Sequence, residues 1–79
     1  VLRHLPDNDD WLYEERRAIG DRIRTARLGQ DLTQERVYLA AGISRAALQA
    51  IEGGTRDPRL STLQRIARVL GVHVADLTR

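Results

Sequence analysis

Residues 33–54 read TQERVYLAAGISRAALQAIEGG, and the punctuation of this stretch decides the fold. Thr33 is a strong N-cap, and Gln34 and Glu35 follow it in a first turn, beside the positive end of a helix dipole. Gly42 closes that helix, because glycine takes the left-handed conformation that ends helices without a steric penalty. Ser44 then caps a second helix in which Leu48 and Ile51 face a core, and Gly53-Gly54 stop it. Two helices of this size around a turn of about three residues have helix-turn-helix geometry.

Working toward the amino end, Leu12, Ile19, Ile23 and Ala26 recur at helical spacing between Arg and Glu residues. That pattern predicts a helix starting near Trp11, capped by Asp9 or Asp10, and ended by Gly29 just past Leu28. Gly20 is expected to be its weak point, costing ~1 kcal/mol relative to Ala, with fraying before it. Pro6, Asn8 and three Asp predict a turn or mobile arm over residues 6–10. Toward the carboxy end, TRDPR (55–59) reads as a loop. Ser61 and Gln64 spell a capping box ahead of Leu63, Ile66, Ala67 and Leu70. Gly71 closes that helix, and Val74 to Leu77 add a last turn. No alternating strand pattern competes. The expected fold class is all-α, a compact five-helix domain over residues 14–79, preceded by an acidic arm over residues 1–13.

The totals bound the function. Seventy-nine residues suffice for one domain with a modest core. No Cys is present, which removes disulfides, thiolate metal sites and cysteine nucleophiles. No apolar run approaches the ~20 residues of a membrane span, and the amino end does not resemble a signal peptide. A cytoplasmic protein that does not engage a membrane is expected. All thirteen basic residues are Arg. The net charge of +2 hides an asymmetry: residues 1–15 carry −4 and residues 16–79 carry +6. A basic body of this kind is compatible with a polyanionic partner.

Six pieces in register, IGDRIRTAR, LTQERV, AGIS, ALQAIEGG, DP and LSTLQRIARVLGV, resemble the helix-turn-helix domain of lambda-repressor, Cro and XRE-type regulators. The resemblance covers residues 19–77, about three quarters of the chain, and implies a lambda-repressor-like fold that binds double-stranded DNA. In that family the helix after the turn enters the major groove. The groove-facing positions implied here are Ser44, Arg45, Ala46, Gln49 and Ala50. Helical geometry agrees, because inward-facing Leu48 and Ile51 leave 45, 46, 49 and 50 on the outside. Arg45 has the donors for guanine O6 and N7, and Gln49 suits adenine N6 and N7. Ala46 and Ala50 offer methyl groups to thymine. For the DNA backbone the resemblance implies Thr33, Gln34, Gly54, Arg56 and Arg59, contacts that position without reading sequence. Arg27 and Glu52 match an architectural ion pair of the family.

One position departs from the pattern. The residue four before the turn glycine is usually Ala, and here it is Tyr38. Ala46, Ala47 and Ala50 on the facing helix leave room for the ring, so its consequence falls on the tilt of the recognition helix. His4 and His73 are far apart, and no zinc spacing, phosphate-cradling glycine loop or Ser-His-Asp grouping is present. No cofactor, metal or enzymatic activity is expected. The sequence therefore predicts a DNA-binding transcriptional regulator, a repressor acting as a homodimer on a palindromic operator through a recognition helix at 44–53. Val72, Val74 and Leu77 are its expected dimer surface, helped by Trp11. The alternative is a protein-interaction module, or an antitoxin-type binder of a protein partner, that keeps the fold.

Overall fold

The computed structural model describes residues 8–79. Five helices lie among them: α1 (Asp10–Gly29), α2 (Gln34–Ala41), α3 (Arg45–Glu52), α4 (Leu60–Leu70) and α5 (Val74–Thr78). Pro6 and Asp7 of the expected arm, and His4, lie outside the described residues. Asp10 is already helical, and α1 runs unbroken through residue 13. Its first turn is not capped by an Asp side chain. Asn8 instead accepts from the Asp10 N–H through Oδ1 at 3.1 Å.

Both expected caps of the central unit are made. Thr33 Oγ1 accepts from the Arg36 N–H at 3.1 Å, and Ser44 Oγ from the Ala47 N–H at 3.0 Å. Between them Gly42 has φ 70°, and its N–H donates to the Leu39 carbonyl. An Ala there would meet the cost of left-handed backbone. The expected capping box at Ser61 and Gln64 is absent, because α4 starts two residues too early for it, with Arg59 and not Ser61 at the N-cap. Arg59, extended after Pro58, already offers its carbonyl to the Leu63 N–H at 3.1 Å, which puts Ser61 inside the first turn. A carboxylate cap forms at α5 instead, where Asp76 accepts from the His73 N–H at 3.0 Å.

Helix α1 packs on α3 and α5, and α2 packs on α3 and α4. Ile23, Val37, Leu48, Ile51, Ile66 and Leu77 are fully buried where these helices meet. Each fully buried aliphatic side chain of this size contributes ~1.5–3 kcal/mol of transfer free energy. Leu77 belongs to this core, at 2% exposure, which corrects its expected place on a dimer surface. The α5 helix turns Leu77 inward, and the Arg22 guanidinium, donating to the Leu77 carbonyl at 3.1 Å, ties that helix to α1. Tyr38 is half-buried and packs against the core, while Val37 and Ala41 on the same helix are buried. The ring is thus accommodated with α2 and α3 still in contact.

Gly20 changes meaning. It is buried, and a Cβ built on it would stand 2.5 Å from the Ile51 carbonyl oxygen and 2.6 Å from that of Glu52. The residue expected to weaken α1 is where α1 comes closest to the end of α3. Its lost helix propensity is offset by backbone proximity that no other residue permits.

Candidate nucleic-acid interface

Helix α3 is divided sharply between two faces. Leu48, Ile51 and Glu52 are buried, whereas Ser44, Arg45, Ala46 and Gln49 are exposed and Ala50 is half-exposed. The division follows from eight residues wound at 3.6 per turn, with apolar positions three apart. Five sequence-predicted residues therefore share one outward surface at and after the turn. Three are small, Ser44, Ala46 and Ala50, which keeps the surface low beside the longer Arg45 and Gln49 side chains.

Beneath that surface lies a buried charge pair. Arg27 Nε donates to Glu52 Oε2 at 2.9 Å and Nη2 donates to Oε1 at 3.0 Å, a two-pronged contact. The third guanidinium nitrogen, Nη1, donates to the Leu32 carbonyl at 2.9 Å. Arg27 is 8% exposed and Glu52 9%, so these bonds satisfy groups that water does not reach. The planar fork of Arg suits this geometry, where a Lys would present a single nitrogen as a point charge. Gln34 joins the pair, its Nε2 donating to Glu52 Oε1 at 3.3 Å. Arg27 on α1, Gln34 on α2 and Glu52 on α3 thus lock three helices together directly behind the outward face.

Two depressions border α3. One, of about 310 Å³, is lined by Arg24, Arg27, Gln34, Gln49, Glu52 and Gly53. The other, on the opposite flank of α3, is lined by Ile43, Ala47, Ile51, Arg56 and Arg59 among others. Arg56 and Arg59 are both exposed, on either side of half-buried Pro58. Thr33 is exposed at the head of α2, its hydroxyl already engaged as the cap.

Gly54 does not share that exposure. It is buried with φ 73°, and a Cβ there would stand 2.6 Å from Arg17 Cγ. Its N–H donates to the Ile51 carbonyl at 3.1 Å. The glycine lets the chain leave α3 tightly against α1, a packing role that the sequence reading did not assign to it. The same loop is braced by Arg16, whose Nη2 lies 3.7 Å from Asp57 Oδ2. Sequence reasoning passed over Arg24. The available signal was its spacing three residues before Arg27, which puts both on one face of α1.

Among the described residues no three His, Cys, Asp or Glu side chains group as a metal site, and no helix is long and apolar enough to cross a membrane.

Comparison with known proteins agrees with this geometry. A helix-turn-helix family profile matches residues 23–77. The phage CTXphi transcriptional repressor RstR of Vibrio cholerae is 38% identical over 56 residues, which are 71% of this chain and 50% of RstR. The uncharacterized HTH-type transcriptional regulator y4dJ of Sinorhizobium fredii is 36% identical over 62 residues, 78% of this chain and 80% of y4dJ. The chain thus spans half of the one relative and most of the other. Among solved structures, the restriction-modification controller protein C.AhdI from Aeromonas hydrophila superposes with a TM-score of 0.80 at 26% identity, covering 82% of this chain and 98% of C.AhdI. The chain belongs to the helix-turn-helix family of XRE, Cro and lambda-repressor-type DNA-binding transcription regulators.

Proposed function

We propose that the protein is a sequence-specific regulator, a repressor, that binds a palindromic operator in double-stranded DNA through the recognition helix at 44–53. The observation that carries this reading is the outward face of α3, where Arg45, Ala46 and Gln49 are exposed over a rigid buried pair. Arg45 reads guanine through O6 and N7, Gln49 pairs with adenine, and Ala46 and Ala50 meet thymine methyl groups. Thr33, Gln34, Arg56 and Arg59 hold the phosphate backbone and set the register. The description of RstR as a transcriptional repressor supports the sign of regulation.

One such domain covers a single half-site. A symmetric homodimer joins two half-sites about 34 Å apart and explains why the operator is an inverted repeat. This reading also puts the protein in the cytoplasm, where its DNA is.

The test is fluorescence anisotropy on a selected duplex and on its scrambled counterpart. Arg45→Ala and Gln49→Ala should each lose ~1–3 kcal/mol of discrimination between the two duplexes. Discrimination that survives both substitutions would overturn the assignment of the recognition face.

A further inference from the structure

Helix α1 carries five arginines, and four of them have a contact within the fold. Arg16 faces Asp57, Arg17 packs against Gly54, Arg22 donates to the Leu77 carbonyl, and Arg27 holds Glu52. Arg24 has no such partner among the described residues, and it is exposed on the rim of the depression it shares with Gln34 and Gln49. Within that depression Arg27 and Glu52 neutralise one another at 2.9 and 3.0 Å. The net charge of the lining is therefore that of Arg24 alone.

The position of that charge around α3 is informative. Gln49 and Glu52 border the depression that holds Arg24, while Ala47 and Ile51 border the one that holds Arg56 and Arg59. By helix period Ala46 and Ala50 lie on the arc between, with Arg45 on the Gln49 side. The outward face of α3 is thus flanked by a cation on each side, one from α1 and the others from the loop after α3. A helix in the major groove has a phosphate strand on each side, with the groove ~12 Å wide between them.

We infer that Arg24 binds a DNA phosphate on the flank of the groove opposite to Arg56 and Arg59, making a two-sided clamp across the recognition helix. The inference rests on the reading of α3 as the DNA-reading helix and adds a positioning residue to it. Arg24 holds the backbone and reads no base.

The experiment compares wild type, Arg24→Ala, Arg24→Lys and Arg56→Ala on the selected and scrambled duplexes between about 50 and 200 mM salt, with ethylation interference on the selected duplex. Arg24→Ala should weaken both duplexes alike, flatten the salt slope by about one, and narrow the wild-type advantage roughly threefold over that salt range. It should also erase interference at phosphates on one flank of the groove, the flank that Arg56→Ala leaves intact. Arg24→Lys, which keeps the charge, should restore the slope. An unchanged slope and interference pattern in Arg24→Ala, with wild type still selective, would overturn this inference and leave the proposed function standing. Loss of the same flank as Arg56→Ala would overturn it equally. A folded wild type that selects no duplex would overturn both readings together.

Discussion

The two faces of α3 have been put to opposite uses within eight residues. Inward, Leu48 and Ile51 are sealed in the core and Glu52 is held by three hydrogen bonds, from Arg27 Nε and Nη2 and from Gln34. Outward, Arg45 and Gln49 are exposed and make no hydrogen bond to another side chain among the described residues. The difference teaches how a domain this small holds a reading surface still. All the fixing interactions lie on one side, so the other is left with donors and acceptors unspent. Substitutions should therefore divide by face, the inward ones changing stability and the outward ones changing only recognition.

The largest effect should come from Glu52→Ala, which leaves the Arg27 guanidinium buried without its counter-charge. A loss of ~3–5 kcal/mol is expected in denaturant unfolding. Leu48→Ala, which empties a fully buried site on the same face, should cost ~2–5 kcal/mol. Gly20→Ala tests the contact from the other side. It gains helix propensity, yet the added methyl collides with the Ile51 and Glu52 carbonyls, so a net loss of ~1–3 kcal/mol is expected from thermal melts. Arg45→Ala sharpens the comparison. Its melting temperature should match wild type, while discrimination between operator and scrambled duplex falls by ~1–3 kcal/mol. Arg56→Ala should have the smallest reach, weakening all duplex DNA alike and lowering the salt slope by about one with stability unchanged.

The same comparison explains what could be read from the sequence. The fold was legible because its signals are local: Thr33, Ser44 and Gly42 act on their own turns, and Leu48 and Ile51 announce a buried face by spacing alone. The Arg27–Glu52 contact came from the family resemblance, since nothing local links residues 25 apart. The packing roles of Gly20 and Gly54 went unread for the opposite reason. Each is small because of a neighbour distant in sequence, the Ile51 and Glu52 carbonyls for one and Arg17 for the other. Ser61 and Gln64 mimicked a cap whose place depends on where Pro58 and Arg59 let α4 begin. Leu77 looked like surface on a short last turn, and only the packing of α5 on α1 and α4 turns it inward. Among the residues assigned to the site, the side-chain pattern of α3 was readable from helix period, while Arg24 emerged only when α1 was laid beside α3.

The central claim is that the outward face of α3 reads duplex sequence, and selection of bound sites from a random duplex pool tests it most directly. At ~150 mM salt, where non-specific phosphate attraction is weakened, the account predicts recovery of an inverted repeat with half-sites about one helical turn apart. Recovery of no preferred sequence by protein shown to be folded would contradict it.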